Sequence, residues 1–225
     1  YPGKFHRHAS SWGMISTMGI AERKRKERQS RIDLIKKSAG VLFKKKGFEA
    51  TKVEEIAARA EISKPTIYEY FKSKSDLFYE MMQERLSNLN RELLEIYATR
   101  QNPEKKLRLF MARTYEFSIE EAEIYHLVTT MKAKDFRKFL SADKAEHLRK
   151  IMASNLKQLD LTIRDGIKMG IFRKIDTTVG AVIFWNMFMG IMQNQENRLD
   201  VGKKDYRKST LDTAVDWLIV GLKKP

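Results

Sequence analysis

The chain contains no cysteine, which excludes disulfides, thiolate metal sites and a cysteine nucleophile, and fits a reducing, cytoplasmic setting. Proline occurs only four times, so most of the chain is free to be helical. The longest apolar run, Val179 to Met192, is broken by Asn186 and falls short of the roughly 18 residues a membrane span needs. Residues 1–20 lack the apolar stretch of a signal peptide. They begin on Tyr1 rather than methionine, with Met14 or Met18 as candidate starts. They are set aside as a leader, either disordered or of artificial origin. There is no phosphate-cradling glycine loop and no Gly-x-Ser-x-Gly elbow. Of the four histidines, His6 and His8 lie in the leader, and neither His126 nor His147 has a second histidine or a cysteine at ligand spacing. An enzyme is therefore not expected, nor are a metal, a cofactor or catalytic residues.

Acidic residues are in short supply: 29 against 44 lysines and arginines, for a formal charge of +15. Such a balance favours polyanionic partners. The excess is concentrated between Arg23 and Lys52, where only Glu27, Asp33 and Glu49 oppose twelve cations. The segment Arg23 to Arg28 reads either as an arm that tracks a minor groove or as a solvated helical extension.

At 42% hydrophobic the chain can pack a core, and from Ala21 onward its periodicity is helical. Ile32, Ile35, Ala39, Leu42 and Phe43 make one stripe of a helix over 29–45, which Gly47 ends. Thr51-Lys52-Val53-Glu54 reads as a capping box for a short second helix. Ser63 caps a third, with Pro65 in its first turn, where a missing N–H is harmless. Two short helices joined by a tight turn across 52–71 are the minimal helix-turn-helix. Val53, Ile56, Ala57, Ile62 and Ile67 fill its interior and leave Lys64, Thr66, Tyr68 and Tyr70 available. Hydroxyls and lysines suit phosphates, and threonine methyls suit thymine.

The stretch from Arg31 to Glu80 resembles the DNA-binding domain of the TetR family. The residues that carry the resemblance are Ala39 to Phe43, Lys46 to Thr51, Ile56-Ala57 and, above all, the run from Ile62 to Phe78. Glu61 departs from the glycine common there, at a cost of about 1 kcal/mol if φ is positive. The resemblance implies that Thr51 and Lys52 meet a phosphate at the start of the second helix. Lys64, Thr66 and Tyr68 would face base edges or nearby backbone, with Ser63 and Pro65 beside them at the helix start. Tyr70 and Lys74 would clamp flanking phosphates.

Further helices are expected from Ser73 to beyond Leu94, from Asn102-Pro103, near 120–131 and 135–140, over 142–169, from Asp176 to about Gln195, and over 209–222. The expected fold is all-α: a leader over 1–20, a three-helix DNA-binding head over 21–75, and a helical ligand-binding and dimerisation domain over 76–225. The last two helices are the family's dimer interface, which here implicates Val182, Trp185, Met189, Ala214, Trp217 and Leu218. Tyr115, Tyr125, Met131 and Trp185 are candidate lining of a ligand pocket. The implied function is a homodimeric, ligand-responsive repressor of a palindromic operator, with double-stranded DNA and an apolar small-molecule effector as partners and no membrane. Two alternatives remain open, a non-specific architectural nucleic-acid binder and a ligand carrier with a vestigial head.

Overall fold

The computed structural model describes residues 19–122, 124–125, 140–196 and 205–224. Among these the regular structure is helical, in eight elements. They are α1 (Ile20–Ala50), α2 (Val53–Arg59), α3 (Lys64–Tyr70), α4 (Lys74–Ala98), α5 (Pro103–Glu120), α6 (Ala142–Lys168), α7 (Thr177–Glu196) and α8 (Arg207–Leu222). The expected helices near 120–131 and 135–140, and most of the leader, fall largely outside the described residues.

Local chemistry accounts for most helix ends. Gly47 sits at φ 80° and interrupts α1, a conformation that glycine adopts without a Cβ clash. The chain then folds back so that the Phe48 ring meets Phe43 and Phe78 at 5.6 and 4.8 Å. Ser63 Oγ accepts the Thr66 amide at 3.2 Å and Asn102 Oδ1 the Lys105 amide at 2.8 Å; each cap precedes a proline in the first turn. Among the described residues Glu61 is the one outside glycine with positive φ, at 52°, so the departure from glycine in the turn does carry a backbone cost.

Two boundaries differ from the sequence reading. Helix α1 begins at Ile20 rather than near Gln29, which makes the basic segment helical. The cap of α2 lies one residue further on than expected: Lys52 is the N-cap, and the Glu55 carboxylate accepts its amide at 2.9 Å. Thr51 is buried, and its hydroxyl donates to the Gly47 carbonyl at 2.8 Å.

Beyond α3, helices α4 and α6 run side by side in the same direction. They are joined at one end by Asp76–Lys144, in the middle by Asn90–Asn155 at 2.7 Å, and at the other end by Tyr97–Asp165 at 3.0 Å. Leu86, Leu89 and Leu93 of α4, Leu107, Phe110 and Met111 of α5, and Leu148, Leu159 and Ile163 of α6 belong to one continuous apolar core. Gly166 admits the fully buried Phe172 ring, which a Cβ at that position would meet at 2.1 Å. Helices α7 and α8 close the far side with Ala181, Phe184, Phe188, Leu211, Val215 and Ile219 turned into that core.

Candidate nucleic-acid interface

Helix α3 is anchored by Ile67, which is buried, and by Phe71 just beyond its end. With one face fixed, the other is presented outward. Ser63, Lys64, Pro65, Tyr68 and Glu69 are exposed, and Thr66 and Tyr70 are half-buried. The Tyr68 ring stands 45% exposed on the outer face. An aromatic ring left open on a helix this well anchored is available to a partner.

The polar groups around it are pre-positioned. Ser63 and Thr66 hydroxyls share a hydrogen bond of 2.7 Å, which fixes both at the start of the helix. Lys64 Nζ donates to Glu54 Oε1 at 2.6 Å, bridging α3 to α2, and lies 6.0 Å from the Tyr68 ring centre. The Lys64 hydrogen bond holds the Glu54 carboxyl below the usual carboxylate range, and Glu54 in turn raises the Lys64 ammonium. Both side chains are largely exposed, so the pair holds Lys64 in place without burying it, and a phosphate can replace the carboxylate at little cost. Tyr70 is covered on one face by the Arg28 guanidinium of α1, 5.0 Å from its ring centre.

Two expected contacts meet a different geometry. Lys74 is turned inward. Its ammonium donates to the carbonyls of Phe48, Thr51 and Glu49 at 2.7, 3.0 and 3.2 Å and lies 4.3 Å from the Phe48 ring centre. Burial pushes this ammonium below the ordinary lysine value, Glu49 pulls it back and neighbouring Lys46 lowers it further. With its three donors engaged, Lys74 ties the end of α1 to the start of α4. Thr51, buried as described, does not present its hydroxyl to a phosphate, whereas Lys52 is exposed beside it. Of the remaining members of the expected set, Ser63, Lys64, Pro65, Thr66, Tyr68 and Tyr70 lie on α3 or at its cap, and Lys52 caps α2. Arg28 was expected only within the basic segment 23–28, as an arm or a solvated extension, and not against Tyr70. Its signal was in the sequence, since it stands one helical repeat upstream of Ile32 and Ile35.

The profile described as "Bacterial regulatory proteins, tetR family" matches residues 35–81, the segment that holds α2, α3 and the packing partners of both. Over this segment the chain is similar to the DNA-binding domain of the TetR family. The repressor NicS of Pseudomonas putida is 28% identical over 141 residues, which is 63% of this chain and 65% of that protein, so the match spans slightly less than two thirds of that relative. Among solved structures, the TetR-family regulator PfmR of Thermus thermophilus covers 84% of this chain and 99% of its own, with a TM-score of 0.66 at 24% identity. AibR, solved with isovaleryl coenzyme A and operator DNA, covers 84% and 98%, with a TM-score of 0.65 at 20% identity. These likenesses extend the TetR-type fold over the helices that follow the matched segment.

In the TetR-type body the residues expected at an interface divide. Val182 and Trp217 are exposed, Trp217 at 74%. Ala214 and Leu218 are half-buried between them. Trp185 and Met189 are half-buried as well, and of these two Met189 packs against the core. The Trp185 and Phe188 rings are 6.0 Å apart, and Met189 Sδ takes the Tyr125 hydroxyl at 3.5 Å. Val179, Ile183 and Val220, which the sequence reading did not single out, join the exposed face. Together with Trp217, Val179 and Ile183 border a hollow of about 280 Å³ between α7 and α8. Of the expected pocket lining, Tyr125 and Trp185 both meet Phe188. Tyr115 instead lies under Lys208, whose ammonium is 5.9 Å from its ring centre, and Met131 lies outside the described residues. No helix among the described residues is long and apolar enough to cross a membrane.

Proposed function

We propose that this chain is a member of the TetR family, a homodimeric, ligand-responsive repressor that reads a palindromic operator with the outward face of α3. The observation that carries the proposal is the pairing of an open Tyr68 ring with Lys64, Ser63 and Thr66 already fixed in position on one helix face. Pre-positioned donors lose little freedom on binding. In this reading residues 21–75 form the reading head and 76–225 the dimerisation and effector domain. The exposed strip of Val179, Ile183, Trp217 and Val220 is the two-fold contact, because a chain of this charge gains nothing from leaving aliphatic and indole surface in water. A two-fold dimer sets two copies of α3 against half-sites about one helical turn apart. The repressing sense is supported by NicS. An effector with an apolar part, bound near Tyr125, Trp185 and Phe188, is supported by those rings and by the isovaleryl group of the coenzyme A ester in AibR. Its binding would alter the spacing of the two heads and so the operator affinity.

The test is footprinting on the DNA upstream of the chain's own gene, with competitor DNA at about 0.15 M salt. A single palindromic footprint that Tyr68→Ala abolishes, with helicity unchanged, is the expected result. Uniform binding without a preferred site, equal in Tyr68→Ala, would make the chain an architectural nucleic-acid binder instead.

A further inference from the structure

Helix α1 does not stop where the head's core stops. Its inward stripe is apolar through Ile32, Ile35, Ala39 and Phe43, all at least half-buried. Followed upstream with helical spacing, the same stripe passes through Arg28 and then Lys24 and Arg25. The face that packs against α2 and α3 therefore continues past the core as a cationic one. The change occurs at Arg28, whose guanidinium lies over the Tyr70 ring at the C-terminal end of α3. From there to Ile20 the helix extends about 12 Å further.

These charges have no internal explanation. Arg23, Lys24, Arg25 and Arg28 are exposed, and none forms an ion pair among the described residues. The ion pair in this stretch joins Lys26 to Glu22 at 3.8 Å. They also crowd the N-terminal turns of a helix, where the backbone dipole disfavours cations, and they repel one another along one side. That arrangement becomes favourable when a polyanion lies alongside.

We propose that the first turns of α1 are a second DNA contact, a rigid cationic rail that grips the phosphates flanking the groove read by α3. This rests on the proposed reading by α3. The orientation favours duplex backbone over base edges: a recognition helix reads bases with its N-terminal residues, and the rail meets α3 at the opposite end. Its partner groups are phosphates, so it adds affinity and footprint length without adding sequence preference.

The test compares two variants of the full chain with equal loss of charge. R23Q/K24Q/R25Q/R28Q empties the rail while keeping good helix formers. K105Q/K150Q/K168Q/K174Q removes four exposed lysines from the body. Binding to a mixed-sequence duplex is followed against salt, and hydroxyl-radical protection is mapped on the upstream DNA. The rail variant is expected to lower the salt slope by about 2 to 3 units, at roughly 0.9 per phosphate, and to lose the outermost protection of each half-site. The body variant keeps the wild-type slope and footprint. If the two variants share one slope and the outer protection survives in both, the rail is overturned while reading by α3 stands. If the wild type binds no duplex at any salt, both proposals fall.

Discussion

The surroundings of α3 and the outer face of α7 and α8 are built on opposite terms. Around α3 the backbone ends are capped by Ser63 and Glu55, Lys74 closes three carbonyls, and most of what reaches solvent carries charge or hydroxyl groups. Across α7 and α8 the buried side is densely filled, yet the outer side leaves Trp217 and Val220 at 74% and 66% exposure. The first surface is complete in water and offers polar groups to a polar partner. The second leaves its apolar area uncovered, and only another apolar surface would cover it favourably. The chain thus separates a region whose shape is set by local hydrogen bonds from one whose shape is set by packing, and the perturbations that damage each should differ in kind.

The largest effect should come from the packed region. Gly166→Val places a side chain where the Phe172 ring lies, and Phe172 is fully buried. A loss of about 3 kcal/mol or more is expected in urea denaturation. Wild-type stability in this variant would mean that the body tolerates loose packing and would erase the contrast. Next is the uncovered face. Trp217→Glu should weaken self-association about 100-fold, close to 2.8 kcal/mol, in sedimentation equilibrium, with helicity preserved. An unchanged dimer would move the two-fold contact away from α7 and α8.

In the head the penalties should be smaller and hydrogen-bonded in origin. Lys74→Met strands three backbone carbonyls and should cost about 2 kcal/mol, while the salt slope of DNA binding stays that of the wild type. A slope reduced by about one unit would instead return Lys74 to the phosphate contacts.

The smallest effect tests a polar link inside the packed region. Asp160 of α6 is buried, which by itself would raise its carboxyl; hydrogen bonds from Lys157 and from Thr177 at the start of α7 bring it below its usual 3.8. A depressed folded value stabilises above the unfolded value and loses that contribution as pH falls through the folded one. Asp160→Asn should therefore cost about 1 kcal/mol near neutrality. Its melting temperature should converge on that of the wild type only below about pH 4. A gap that persists unchanged to pH 2 would assign the loss to geometry rather than charge.

Much of this was legible in residue order because the signals are local. Ser63 with Pro65, Asn102 with Pro103, and Gly47 each act within a turn of their own position, so they mark helix ends without knowledge of the fold. The α2 cap shows the limit of that reading. Thr51-x-x-Glu54 and Lys52-x-x-Glu55 are overlapping frames, and the second forms because the Thr51 hydroxyl is drawn into the buried turn at Gly47. Lys74 shows it again. A lysine after the recognition helix reads as a phosphate clamp until Phe48, twenty-six residues upstream, is brought beneath it. Trp185 and Trp217 sit in the last two helices, yet one is half-buried and the other stands in solvent. Periodicity says little for a helix apolar nearly all round.

The sequence by itself determined the helices, most of their ends, the helix-turn-helix and the surplus of positive charge ahead of it, because each depends on neighbours within a few residues. Only the tertiary structure decided which cations are spent on the protein's own carbonyls and which stay open, which faces of α7 and α8 remain uncovered, and that the basic start of α1 meets the end of α3. Those outcomes depend on groups distant in sequence competing for the same burial and the same hydrogen bonds, and the competition is resolved only when the chain is packed.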